Sequence, residues 1–197
     1  MRTGWLPGVP AVTWSTCIID PPWPEHGGGQ SKRGADRHYP LVLVDQMFAV
    51  VSLSPAWTPA ENAHLYAWVT DTYLPAGLRL MADLEFRYVR TFCWVKLLGG
   101  VDVDRVTDET LDESLATGLG QYARGQHELC LFGVRGDGMA VRTERRDIGS
   151  VIPAQRAAHS AKPACFYDLV EARNRGPYQE IFARSARPGW LSWGNEV

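Results

Sequence analysis

The chain has 197 residues, 45% of them apolar and 21% charged, a length and balance that suit one globular domain and exclude disordered, collagen-like and coiled-coil classes. Its formal net charge of -2 excludes a uniform polycation that holds nucleic acid by charge alone, so any such contact has to be local. Four cysteines at 17, 93, 130 and 165 form no Cys-x-x-Cys pair, and no apolar stretch reaches the length of a leader or a membrane span. The expectation is a soluble cytoplasmic protein with free thiols and no membrane partner.

In chain order, Ser15 to Ile19 is a short apolar run that stops at Asp20-Pro21-Pro22, which predicts a buried strand delivering an acid into a loop. Residues 24 to 40 form a glycine-rich, basic loop with Lys32, Arg33, Arg37, His38 and Tyr39. Leu65 to Val69 predicts a strand covered on both faces, Leu74 to Glu85 a helix weakened by Gly77, and Phe86 to Lys96 a further strand. From Val101 to Glu113 six acids face one arginine, a local charge of -5 that leaves +3 for the rest and predicts a solvated loop or disordered insertion. His127 to Val134 predicts a strand, Lys162 to Arg173 a helix, Tyr178 to Ala183 a strand, and Trp190 to Trp193 a short strand-like segment whose tryptophans pack in the core. Strands alternating with helices point to a single α/β domain over residues 1–197 with a mainly parallel sheet.

Three candidate sites fall away. Gly118-Leu119-Gly120-Gln121-Tyr122-Ala123 fits a dinucleotide fingerprint, but that turn joins a strand to a helix, and here an acidic segment precedes and a strand follows. His127 and Cys130 have a ligand-like gap, yet three residues apart on a strand they point to opposite faces, so no metal is expected. No Gly-x-Ser-x-Gly elbow supports serine catalysis.

Asp20-Pro21-Pro22-Trp23 sits where open α/β sheets place ligands, at the end of a strand. An exocyclic aromatic amine is a poor nucleophile because its lone pair is delocalised into the ring. Asp20 and the Pro21 carbonyl can accept its two N–H bonds and free that lone pair, the prolines hold the acceptors in place, and Trp23 is expected to stack on the base. An Asp-Pro turn with a packed Trp is the alternative reading of the same four residues.

These residues resemble the adenine-N6 methyltransferase family typified by the catalytic subunit of the eukaryotic messenger-RNA adenosine methyltransferase, which has bacterial and phage relatives. The likeness runs through His38-Tyr39-Pro40, Leu65-Tyr66-Ala67-Trp68-Val69, Trp94-Val95-Lys96, Gly118-Leu119-Gly120 and His127-Glu128. It continues through His159-Ser160-Ala161-Lys162-Pro163 and Glu180-Ile181-Phe182-Ala183-Arg184 to Gly189-Trp190-Leu191-Ser192-Trp193-Gly194-Asn195-Glu196. The resemblance implies a Rossmann-like, S-adenosylmethionine-dependent fold with helices on both faces of the sheet and the permuted motif order, catalytic block first. It implies catalysis by Asp20, Pro21, Pro22 and Trp23. It implies cofactor binding by Asp20 and by Lys162 on the cofactor carboxylate, with Arg184, Asn195 and Glu196 on its ribose and polar edges. His127 and Glu128 are assigned mainly to structure. No acid precedes Asp20, whereas longer members have one that contacts the cofactor adenine; a main-chain contact or a partner chain would replace it.

The function expected is methylation of adenine N6 in nucleic acid, DNA before RNA, with Lys32, Arg33, Arg37, His38 and Tyr39 on the backbone. The alternatives are an RNA adenosine methyltransferase and a silent nucleic-acid-binding subunit. A homodimer or a partner subunit fits either.

Overall fold

The apolar run before Asp20 forms strand β1 (Trp14–Ile19), flanked on both sides by other strands. The structure, a computed structural model, describes residues 12–24, 43–118, 120, 122–156, 161–194 and 197. The expected sites at Lys32, Arg33, Arg37, His38, Tyr39, Asn195 and Glu196 lie outside them. Strands β2 (Pro59–Val69), β3 (Arg87–Leu97), β4 (His127–Arg135), β5 (Val151–Gln155), β6 (Tyr178–Ile181) and β7 (Trp190–Trp193) join β1 in one sheet, in the order β5-β3-β4-β2-β1-β6-β7. β4 is antiparallel to both neighbours and every other pairing is parallel.

The helices described are α1 (Val44–Ser52), α2 (Leu74–Asp83), α3 (Leu111–Ser114), α4 (Gly138–Val141) and α5 (Ala164–Arg173). Strand parity sorts the core onto two faces. Cys17, Ile19, Leu65, Ala67 and Val69 meet Met47 and Val51 of α1 and Leu80 and Met81 of α2. Ile18, Tyr66, Trp68, Phe92 and Phe132 meet Phe166 and Val170 of α5 on the other. Helices on both faces of a mainly parallel sheet make this the expected Rossmann-like architecture.

Several boundaries differ from expectation for local reasons. Gly77 lies inside α2, where an added Cβ would sit 3.0 Å from Val69 Cγ2 and 3.2 Å from Leu131 Cδ1, so the glycine brings the helix close to the sheet. β6 ends at Ile181 rather than Ala183 because Phe182 turns the backbone at φ 67°. Lys162 precedes α5 instead of opening it, and Pro163 occupies the N-cap. Helix α1 and strand β5 were not anticipated; β5 contains Pro153, tolerated because this strand is at the sheet edge. The acidic segment is an exposed connection holding a 3-10 turn (Val103–Arg105) and α3. A strand, β4, follows the glycine pattern at 118–123. Trp190 stacks on Tyr178 at 4.9 Å on the α5 face, and Trp193 packs on Phe182 at 6.3 Å on the other.

Candidate active site

Because β4 runs against the others, its first residues lie at the same edge as the last residues of β1, β2, β3 and β6. That carboxyl edge gathers Asp20 after β1, Lys96 near the end of β3, Glu128 at the start of β4, and Glu180 and Arg184 from β6 and its exit. Lys162 joins them from the approach to α5. Asp20 N donates to Ile181 O at 3.4 Å, which ties the catalytic loop to β6. Trp23 N donates to the Pro21 carbonyl at 2.8 Å, so one lone pair of that oxygen is used within the loop and one remains for a substrate.

The charges form an alternating chain. Lys96 Nζ lies 2.6 Å from Glu128 Oε1, and Lys162 Nζ lies 3.3 Å from Glu128 Oε2 and 2.9 Å from Asp20 Oδ2. Arg184 Nη2 lies 3.7 Å from that same Asp20 oxygen. The Lys162 side chain is only 7% exposed and that of Asp20 14%, so these pairs are poorly screened. Burial works to lower the Lys162 pKa, but Asp20 and Glu128 outweigh it and the ammonium is held above its usual value. Burial likewise pushes the Glu128 carboxyl up, and Lys162 and Lys96 outweigh it and lower it. Glu180 goes the other way: burial raises its pKa, the hydrogen bond donated by Tyr167 at 2.8 Å opposes this, and Asp20 adds to the rise.

Beside this chain is a cavity of about 330 Å³, within the usual range for a small-molecule site, lined by Asp20, Lys162, Tyr167, Glu180, Arg184 and Arg187 among others. Arg187 is held there by Asp168 at 2.7 Å and Glu171 at 3.1 Å and lies over the Tyr167 ring at 4.9 Å. The resemblance assigns Asp20, Lys162 and Arg184 to one cofactor, and the structure places the three together at this edge.

One expectation is corrected. Trp23 is not an open stacking platform: it is 6% exposed, its Nε1 donates to Trp68 O at 2.9 Å, and Tyr73 stacks against it at 5.5 Å and 10°. It is a wall of the core that anchors the loop. Glu128 lies at this edge, paired with Lys96 and Lys162, whereas its neighbour His127 faces Asp71 at 3.2 Å near the surface. Cys130 is buried against the α5 face, away from His127. Sequence reasoning missed Lys96, Tyr167, Glu180 and Arg187 as site residues; Lys96 and Glu180 lie in stretches that carry the family likeness, and an acid inside an apolar strand, as at Glu180, was a further signal.

A family model described as MT-A70 matches residues 14–196. The chain belongs to the MT-A70 family. It is 26% identical to the N6-methyladenosine RNA methyltransferase MTA1 of Cryphonectria parasitica over 95% of this chain and 52% of that protein. It is also 26% identical to the human N(6)-adenine-specific methyltransferase METTL4 over 94% of this chain and 38% of that protein. The chain thus spans about half or less of these relatives. The family agrees with the one its motifs resemble, and the Asp20 tetrapeptide, Lys162 and Arg184 of this MT-A70 chain meet at a single edge of the sheet.

Proposed function

We propose that this chain transfers a methyl group from S-adenosylmethionine to the N6 amine of adenine in nucleic acid. The observation that carries the reading is Asp20. Its Oδ2 is held by Lys162 and Arg184, while its Oδ1 accepts no hydrogen bond among the described residues, at the rim of the cavity. The donor set suits the cofactor: Asp20 and Glu180 offer carboxylates to an ammonium and a sulfonium, and Lys162 and Arg184 offer cations to a carboxylate and ribose hydroxyls. When bound, S-adenosylmethionine supplies a methyl group activated by its sulfonium.

The chain's own part is to make the amine a nucleophile. Asp20 Oδ1 and the remaining lone pair of the Pro21 carbonyl accept the two N–H bonds, draw the nitrogen toward tetrahedral geometry, and leave its lone pair for the methyl carbon. Asp20 Oδ1 is then in place to accept the proton that the amine sheds. A paired adenine has to leave the duplex to reach this edge, or be single-stranded already. Asn195 and Glu196, just beyond β7, are proposed for the ribose. Lys32, Arg33, Arg37, His38 and Tyr39, which follow the tetrapeptide in the chain, are proposed for the nucleic-acid backbone.

Calorimetric titration with S-adenosylmethionine, followed by methylation of matched DNA and RNA oligonucleotides with product mass spectrometry, tests this. The expected result is cofactor binding and one methyl gained per target adenine, with the two oligonucleotides deciding the sugar. Cofactor binding without transfer to either would favour a silent binding subunit, and no cofactor binding would overturn the reading.

A further inference from the structure

At the opposite edge of the sheet, the segment after α4 lies antiparallel to the end of α5. Thr143 N donates to Arg173 O and Arg175 N to Val141 O, both at 2.8 Å, and Arg142 faces Asn174 as an isolated bridge. Asn174 is buried and pinned, with Oδ1 2.5 Å from His64 Nδ1 and Nδ2 donating to Tyr66 OH at 2.8 Å. Three arginines therefore sit on a rigid support. Arg173 lies over the Phe132 ring at 4.8 Å and the Phe92 ring at 5.6 Å, and its Nε is buried without an acceptor. Arg175 is exposed and lines a second cavity of about 360 Å³ with Glu61, Asn62 and Val141.

Charge accounting separates these from their neighbours. Arg145 is taken by Asp147 at 2.7 Å, and Arg146 approaches Glu144 at 3.9 Å. Arg142, Arg173 and Arg175 form no ion pair among the described residues. In a chain of net charge -2, three arginines on a shared backbone support that form no ion pair among the described residues, against the single carboxylate of Glu61 in the cavity beside Arg175, are a local attractor for anions. Guanidiniums also match the fork geometry of a phosphodiester.

We infer that Arg142, Arg173 and Arg175 form a second docking surface for the nucleic-acid backbone, one that holds the substrate at a distance from the reacting adenine. The inference rests on the proposed nucleic-acid substrate. Thr16 Oγ1 donates to Arg175 O at 2.9 Å, and Thr16 lies four residues from Asp20 on an extended chain, about 13 Å. That line runs through the buried sheet, so with the arginine side chains added a strand rising about 3.4 Å per nucleotide needs at least roughly five to six nucleotides to pass from the target to the patch. Oligonucleotides with flanks shorter than this would miss the patch, and longer ones would engage it.

The test compares wild type with the Arg142→Gln/Arg175→Gln variant on adenine-centred oligonucleotides of about 5 and about 25 nucleotides, as DNA and as RNA. Anisotropy over a salt series reads affinity and slope, and methyl transfer is measured at saturating short oligonucleotide. For the long oligonucleotide the variant should bind more weakly, with a log–log salt slope shallower by about 0.9 per lost contact on duplex or about 0.7 on single strands. Transfer to the short one should be unchanged. Equal affinity and slope on the long oligonucleotide would overturn the surface, as would an equal loss on both lengths. If the double variant does not fold, Arg175→Gln alone, at an exposed side chain, carries the same test. A lost slope in the absence of methylation by either protein would keep the surface and overturn the proposed activity instead.

Discussion

Glu128 and Glu180 stand on either side of Asp20, one at the start of β4 and one in β6, both largely withdrawn from water, and their carboxyls shift in opposite directions. Burial pushes both upward. On the β4 flank, Lys96 at 2.6 Å and Lys162 at 3.3 Å overcome it, and Glu128 is held ionised. On the β6 flank the closest partner is a neutral phenol, Tyr167, and the nearby Asp20 charge works with burial, so the Glu180 carboxyl is pushed up. The placement of two lysines, more than depth in the protein, decides which way each carboxyl shifts. The cavity therefore has the ion-pair chain on one side and a carboxyl with a raised pKa on the other.

Removing the residue on which the flanks converge should have the largest effect. Asp20→Ala should abolish methyl transfer, a fall of at least about 10²–10³ in rate, while the cooperative unfolding transition remains. Single-turnover assays with labelled cofactor read the first part and thermal melts the second; equal turnover would end the proposed role. Lys162→Met should come next, because it leaves Glu128 and Asp20 facing each other with one cation fewer. Breaking a buried pair from one side costs about 3–5 kcal/mol. Denaturant unfolding should show that loss and calorimetry a weaker cofactor affinity; unchanged values in both would mean the ammonium is not part of the site.

The smaller effects separate the flanks by sign. Glu128→Gln should cost about 1–3 kcal/mol at neutral pH, since Lys96 and Lys162 lose a charged partner. The folded pKa of Glu128 lies below the unfolded value of about 4.3, so its contribution is complete above that value and is lost as pH falls through the folded one. The variant should therefore lose less stability than wild type on acidification. Glu180→Gln should change stability at neutral pH by less than about 1 kcal/mol, because the amide oxygen can still accept from Tyr167. Here the folded pKa is raised, so the contribution of the acid is complete below about 4.3 and is lost as pH rises through the folded value. Stability profiles against pH should diverge from wild type at opposite ends for the two variants. Divergence at the same end would show that the flanks do not differ electrostatically.

The carboxylate at Asp20 was legible because its signal is local: a short apolar strand cut off by two prolines places the next acid in a loop at the sheet edge. Most strands and the two longer helices of the central and C-terminal parts were legible for the same reason, through side-chain period and length. Local pattern does not report direction, and direction made the site. Antiparallel β4 brings Glu128 to the catalytic edge, which turns a residue assigned mainly to structure into the partner of Lys162 and Lys96. Nor does it report which face an aromatic ring meets: Trp23 adjoins the catalytic acid in the chain, yet Tyr73 and the Trp68 carbonyl take it into the core. The sequence by itself therefore determined most of the strands, helices α2 and α5, and the acid at the end of β1. Only the tertiary structure decided the partners of that acid, since Lys162 lies 142 positions away and a Coulomb interaction depends on distance in space and on exclusion of water, neither of which is written in the order of residues.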